Sequence, residues 1–401
     1  MPMQRRQFLL NSLATATALS AAAPSTRLAT PDEARQRKKL RVGIIGCGRM
    51  GQYFTEVYRA LPDTEVVAIA EWNDTRREIV GKRFGVKAVF KDVNAMLREV
   101  VPDIAAVITP TKFMKEAVIA CAEAGVKGVS TDKPIAARLS DADAMVDACE
   151  KRNVVFAGGN LQRAMWEVQH AGGRLRNGDY GPVKGAVVHR FGGEISGGGC
   201  QHLSVLRLFT GAEVEEVMAW GQPAEALEQE TDEGLEINGF FRMTSGIDCQ
   251  VFGQETPYRG VDAWTDSTLV RWDWAPPDIH ESSGSGARKK IAANYPPFPW
   301  RYILDRPSLR LTDNYLVSSI RSFVDAVATG SDLFISGHDL RQALEIAIAS
   351  KLSAQLGNQA VKLPLEDRSL ALYPRPYRWL GGDVTGRPQS EDEAAGKKPQ
   401  A

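Results

Sequence analysis

A glycine loop, a lysine and a histidine carry the residue types in this chain that chemistry could use. The run Gly46-Cys47-Gly48-Arg49-Met50-Gly51 has the spacing of a dinucleotide-binding turn. In such a turn Gly46 permits the tight bend, Gly48 lets a pyrophosphate approach the backbone, and Gly51 lets a helix pack closely on a strand. The phosphates would rest on the helix N-terminus, where free amides and the dipole favour negative charge. Glu71 stands 25 residues after Gly46. A carboxylate there accepts hydrogen bonds from the adenosine ribose and repels a 2′-phosphate, which favours NAD over NADP. Arg76 and Arg77 are near enough to turn toward such a phosphate, so NADP stays open. Lys133 closely follows the apolar segment Gly128 to Thr131. A lysine at a strand's carboxyl end can hydrogen-bond a reacting hydroxyl and offset the charge of a developing alkoxide. His202 precedes Leu203, Leu206 and Phe209, a helical stripe ending at Gly211, and so sits near a helix N-terminus that keeps the imidazole neutral. A neutral imidazole beside a substrate hydroxyl takes its proton as hydride leaves the carbon.

These residues need a frame, and the hydrophobic pattern supplies one. Leu40 to Ile45 is a short apolar run of the kind buried on both faces of a parallel sheet. Strand-like runs recur at Glu65 to Ala70, Ala88 to Phe90, Ile104 to Ile108, Gly128 to Thr131 and Val154 to Ala157, with helical patterns between them. Asp92 is placed to cap one helix and Gly125 to end another. Strand and helix alternating at this spacing predict a doubly wound α/β domain over residues 39–158. From about Gly159 the pattern changes to alternating segments: Val183 to Phe191, Val214 to Trp220, Leu235 to Met243, Ile247 to Phe252 and Thr268 to Trp274. They predict a second, α+β domain over 159–385 with a mostly antiparallel, open sheet. Its closing helix, about 337–356, is expected to pack back on the first domain. The aromatic-rich stretch between Tyr258 and Asn314 reads as a loop suited to sugar stacking or an oligomer contact.

Composition narrows the function classes. The 401 residues include 49 basic and 49 acidic side chains, a formal net charge of zero, which argues against nucleic-acid binding. Five scattered cysteines without metal-ligand spacing predict neither a disulfide framework nor a metal site. Residues 1–38 read as an export signal and linker. Arg5-Arg6 precede a mildly apolar, Ala-rich stretch, the pattern of the twin-arginine route to the periplasm, with the signal spanning about residues 1–30. The run is too interrupted to span a bilayer, so no stable membrane insertion is expected. Residues 386–401 are polar and charged and are expected to be disordered.

At Asp132-Lys133-Pro134 the sequence resembles the glucose–fructose oxidoreductase / inositol dehydrogenase (Gfo/Idh/MocA) family, whose signature there is Glu-Lys-Pro. The segments AEAGVKGVSTDKPIA, GGNLQRAMWEVQHAGGRLRNGDYGPV and SGHDLRQALEIAIASKLSAQLGNQAVKLPL are similar to family segments, and the resemblance covers about residues 40–365. It implies a Rossmann domain, a nicotinamide cofactor and a carbohydrate or polyol substrate. Cofactor contacts are then expected from Gly46, Gly48, Arg49, Met50, Gly51, Glu71, Arg76, Thr109, Pro110, Asp132 and Lys133, with Lys133 and His202 catalytic. A homo-oligomer formed through the second domain's sheet is also implied.

The departures from the family pattern are specific. Asp132 replaces the motif Glu, and Met114 stands where many members carry His. The family has Asp four residues before the active-site His and again three after it. Around His202 those places hold Gly198 and Val205. Gln201 is the nearest replacement to orient His202. Arg163 either binds substrate or braces the domain junction, and His189 either lines the pocket or packs in the sheet. The leading expectation is an NAD(P)-dependent oxidoreductase acting on a sugar, polyol or glycoside with a tightly held cofactor. The alternatives are a redox-neutral glycosidase, lyase or epimerase, and a non-catalytic sugar-binding Rossmann protein.

Overall fold

The computed structural model describes residues 27–254, 256–282 and 287–381. The first domain alternates as expected: β1 (Leu40–Ile45), α2 (Arg49–Ala60), β2 (Thr64–Ala70), α3 (Asp74–Phe84), β3 (Ala88–Phe90), α4 (Val93–Glu99), β4 (Ile104–Val107), α5 (Met114–Glu123), β5 (Gly128–Thr131), α6 (Leu139–Glu150) and β6 (Val155–Gly158), with α1 (Pro31–Arg35) ahead of them. All six strands run parallel in the order β3-β2-β1-β4-β5-β6. The strand order reverses between β1 and β4, which opens a crevice at the strands' carboxyl ends, where ligands bind in such sheets. Asp92 caps α4 by accepting from Ala95 N, and Gly125 adopts φ +84° after α5.

The chain enters this fold earlier than residue 39. Leu28, Ala29 and Ala34 are buried, and Thr30 makes a capping box with Glu33 around α1. Ala29 N donates to Asp325 Oδ2 at 3.0 Å, and Trp300 Nε1 donates to Ala29 O at 2.9 Å. The paired arginines and apolar stretch of the export reading, and the tail 386–401, lie outside the described residues.

The second domain comprises α7 (Trp166–Arg176), β7 (Gly185–His189), α8 (Cys200–Thr210), β8 (Val214–Gln222), α9 (Ala224–Glu228), β9 (Glu236–Met243), β10 (Asp248–Phe252), β11 (Gly260–Trp264), β12 (Thr268–Trp272), β13 (Asp278–Ser282), β14 (Arg288–Ile291), α10 (Asn314–Thr329), α11 (Gly337–Gln355), β15 (Val361–Lys362) and α12 (Pro376–Trp379). Its sheet has nine strands in the order β14-β13-β12-β11-β7-β10-β9-β8-β15, antiparallel except where β10 joins β7. The stretch expected to be an aromatic loop therefore holds four strands, β11 to β14, in its first part. Its Trp272 and Trp300 are fully buried rather than free to stack on a ligand.

One face of the nine-stranded sheet is covered by α8 and α11, so Ala186, Val188, Val261 and Trp272 on that face join the core. The opposite face carries the exposed Met218, Trp220 and Phe240. Helix α11 also reaches α6 and β6, and α10 packs on α2, β5 and β6, which ties the two sheets together. At that seam Arg321, wholly buried, donates to Asp63 at 2.6 and 2.9 Å and to Asp325 at 2.9 Å. After β15 the chain forms a strap. Leu372 N donates to Ala137 O on the first domain and Tyr373 N to Glu230 O on the second, before α12 packs on the 3-10 turn Thr111–Phe113. Among the described residues, no helix is long and apolar enough to cross a membrane.

Candidate active site

The loop between β1 and α2 is built for a dinucleotide. Gly46 has φ +87°, and a Cβ there would stand 2.5 Å from Ile108 O. A Cβ at Gly51 would collide with Gly46 O, so the helix packs directly on the turn. Around Gly48 nothing lies within 4 Å of a would-be Cβ, which leaves its backbone open to a ligand. Gly48 is also the N-cap of α2 and supplies no side-chain cap, leaving the first amides available to phosphate oxygens. Glu71 is buried at the end of β2. Its Oε2 accepts Cys47 N at 2.8 Å and its Oε1 accepts Asn73 N at 3.0 Å. The carboxylate is thus pinned to the phosphate loop itself, with the buried Arg76 guanidinium 3.9 Å from Oε1. Arg77 bonds Glu71 O and Asp74, so neither arginine stands free for a 2′-phosphate. Across the crevice Thr109 Oγ1 is buried without a partner, and Pro110 caps the 3-10 turn that leads into α5, whose first residue is the buried Met114. These residues fit NAD.

Beyond the end of β5, five ionisable side chains act on one another: Asp132, Lys133, Glu194, Cys200 and Arg378. Lys133 N donates to Asp132 Oδ1 at 2.8 Å, and Asn160, after β6, hydrogen-bonds the same carboxyl. Burial is the largest cause holding the Lys133 ammonium below the usual lysine range. The Arg378 charge pushes the same way, and the Asp132 and Glu194 carboxylates and the Cys200 thiol oppose it. Burial likewise raises Asp132, and it raises the Cys200 thiol to about 11. Cys200, Gln201 and His202 form the first turn of α8, as the sequence indicates. Both His202 ring nitrogens are buried with no partner, and the edges of Phe191, Trp272 and Trp274 surround the imidazole. Burial, the largest cause, pulls the His202 pKa down to about 3, with the charge of Arg259 pushing the same way. His202 is therefore neutral at working pH, with one ring nitrogen to donate and one to accept. Among the described residues, no group of three or more His, Cys, Asp or Glu side chains is placed to hold a metal ion.

The three expected substrate contacts each bond other protein groups. Arg163 braces the junction. It donates to Phe334 O at 3.1 Å and Ser204 O at 3.2 Å, and pairs with Asp339 at 3.1 Å. Gln201 does not orient His202, because its amide is spent on Gln162 N at 2.6 Å and Asn160 O at 3.3 Å. His189 alternates with Val188 on β7 and so lies on the sheet face away from α8. There it meets Tyr258 Oη at 3.0 Å and Asp262, whose carboxylate Arg271 grips at 2.9 and 2.8 Å. Sequence reasoning missed Glu194, Asn160 and Arg378. For Glu194 a signal existed: a Cβ at Gly197 would collide with Glu194 Oε1 and sit 3.0 Å from Arg378 Nε, so the glycine run marks a crowded polar site.

Residues 40–159 match the family model described as "Oxidoreductase family, NAD-binding Rossmann fold". The chain is similar to D-apiose dehydrogenase of Paraburkholderia graminis, 24% identical over 84% of this chain and 93% of that protein. It is 25% identical to myo-inositol 2-dehydrogenase of Thermotoga maritima over 81% and 98% of the two chains. In fold it is similar to the aldose–aldose oxidoreductase of Caulobacter crescentus, with a TM-score of 0.65 and 20% identity over 81% of this chain and 100% of that one.

Proposed function

From a chain that carries the NAD-binding domain of the Gfo/Idh/MocA oxidoreductases, we propose an NAD-dependent enzyme that moves hydride to or from a carbinol carbon of a sugar, polyol or glycoside. The observation that carries this reading is Lys133, a partly buried lysine with a lowered pKa at the carboxyl end of the NAD-binding sheet. The similarity to the apiose and inositol dehydrogenases supports the substrate class. NAD, when bound, accepts the hydride. Lys133 donates a hydrogen bond to the carbinol oxygen and stabilises its negative charge as the C–H bond breaks. His202 accepts the substrate hydroxyl at a free ring nitrogen, takes its proton as the hydride leaves, and passes it on because burial disfavours a lasting imidazolium.

Two finer points belong to the same proposal. The cofactor is retained between turnovers, a reading supported by α12, whose Tyr377 is in electrostatic reach of Arg49 and whose Trp379 lies beside the 3-10 turn. The protein is exported by the twin-arginine route, and removal of a signal near Ala21 and Ala22 would spare Leu28 and Ala29, which pack into the fold. The test uses desalted, denatured full-chain protein, whose released nucleotide is identified by mass spectrometry. Native protein is then assayed for NADH formation with D-apiose, myo-inositol and D-glucose. Stoichiometric NAD and turnover of one of these compounds are expected. Protein that neither holds nor binds NAD, or that oxidises none of the panel, refutes the proposal.

A further inference from the structure

We propose that Arg378, delivered by the C-terminal strap, and Glu194 form a clamp for two adjacent hydroxyls of an uncharged sugar or polyol, and so set substrate specificity. This rests on the oxidoreductase reading above. Arg378 Nε donates to Glu194 Oε1 at 2.6 Å, with the two side chains 22% and 9% exposed. Among the described residues that bond is the only one made by either side chain, so both terminal nitrogens of Arg378 and Glu194 Oε2 remain unspent. A planar donor fork beside a carboxylate oxygen complements a vicinal diol, in which one hydroxyl accepts from the guanidinium while its neighbour donates to the carboxylate.

The pair is held from several sides. The guanidinium lies over the Tyr377 ring, 4.9 Å from its centroid. Arg375 Nη2 donates to Gly193 O at 2.8 Å, which fastens the strap to the loop carrying Glu194. Gly197 leaves the space that the two side chains fill. The clamp is also in electrostatic contact with Lys133, so a bound diol lies next to the lysine that would polarise the reacting oxygen. Charge selects the substrate class. Lys133 and Arg378 are balanced by Asp132 and Glu194, so a substrate carboxylate gains no net cation and faces Glu194 across the clamp.

The test compares full-chain wild type with Arg378→Met, Arg378→Lys and Glu194→Gln. Substrates are myo-inositol, D-glucose, the 2-, 3- and 4-deoxy analogues of D-glucose, and D-glucuronate. NADH affinity and thermal midpoint are measured alongside. We expect Arg378→Met and Glu194→Gln each to raise KM about 10- to 100-fold, with kcat changed less than about 3-fold. NADH affinity should hold, and the double variant should be little worse than either single one. One deoxy analogue should be rejected by wild type yet discriminated far less by Arg378→Met. Arg378→Lys, which keeps the charge and loses the fork, should leave KM raised. Unchanged KM in Arg378→Met, parallel losses of kcat and NADH affinity, or wild-type preference for D-glucuronate overturns the clamp and leaves the oxidoreductase standing. Wild type that binds NADH but neither binds nor oxidises any of these sugars overturns both.

Discussion

Asp232 lies beneath the loop that carries Glu194, and replacing it with Asn is expected to stabilise the protein near neutral pH. The side chain is fully buried. Its Oδ2 accepts Ser196 N at 2.5 Å, while Oδ1 and Ser196 Oγ are buried without a partner. Burial, the largest cause, lifts the carboxyl from 3.8 to about 6, the Glu194 charge adds to the rise, and the Ser196 amide offsets part of it. An acid whose folded pKa is raised binds more protons in the native state than in the unfolded one, so stability falls as pH climbs from about 4 to about 6. A rise of roughly 2 units corresponds to about 3 kcal/mol, lost once the group ionises. Asn keeps an oxygen for the Ser196 amide and cannot ionise. Urea unfolding at about pH 4 and about pH 7.5 should therefore show Asp232→Asn gaining about 2–3 kcal/mol at the higher pH and little at the lower. The variant should also show a flatter pH dependence than wild type. An unchanged slope, or no gain at the higher pH, would refute the reasoning.

Replacing Lys133 with Met should reduce turnover by about 100- to 1,000-fold with NADH affinity held, as read by initial rates and fluorescence titration. The ammonium supports the alkoxide and its pKa is lowered, so the wild-type rate should fall as pH rises through a value below the ordinary lysine range. Arg378→Met should move that limb upward. Replacing Glu71 with Ser removes the carboxylate pinned over the ribose site, and NADPH binding should tighten by about tenfold relative to NADH in equilibrium titration. Arg321→Met leaves the buried Asp63 and Asp325 with Arg37 as their remaining cation, and should cost about 3 kcal/mol in unfolding experiments.

The first domain was legible because strands buried on both faces are apolar throughout. Every residue of β4 and β5 is buried. The glycine loop was legible for a related reason: each glycine answers a local steric demand of one turn. The second sheet was less so. β11 carries Asp262 in a strand buried on both faces, and that charge is tolerated because Arg271 pairs with it from β12 and Tyr258 donates to it. β14 is Arg-Lys-Lys-Ile, an edge strand whose charges resist further pairing and mask its alternation. Residues 27–38 read as linker because their composition is polar. What folds them is distant: Trp300 and Asp325 capture the backbone of Ala29.

The site's departures from the family pattern follow from where its charges come from. Gly198 and Val205 occupy the positions around His202 where carboxylates were expected, and the imidazole sits among aromatic rings with no acidic partner. A carboxylate near the site is nonetheless present as Glu194, which belongs to the loop entering α8 rather than to the helix. Retaining it requires a counter-cation, since a carboxylate this buried is costly alone. Arg378 supplies that charge from 184 residues away. No local spacing rule reports such a pairing, because the strap that delivers Arg378 is held by backbone bonds to Ala137 and Glu230 and by the Arg375 side chain on Gly193 O rather than by any motif. The same pairing accounts for the glycine run. A Cβ at Gly197 would press on the ends of the Glu194 and Arg378 side chains, so Gly197→Ala should displace the pair and raise KM as Arg378→Met does, with the fold intact. A Gly197→Ala enzyme with wild-type KM would break the link between the glycine run and the clamp.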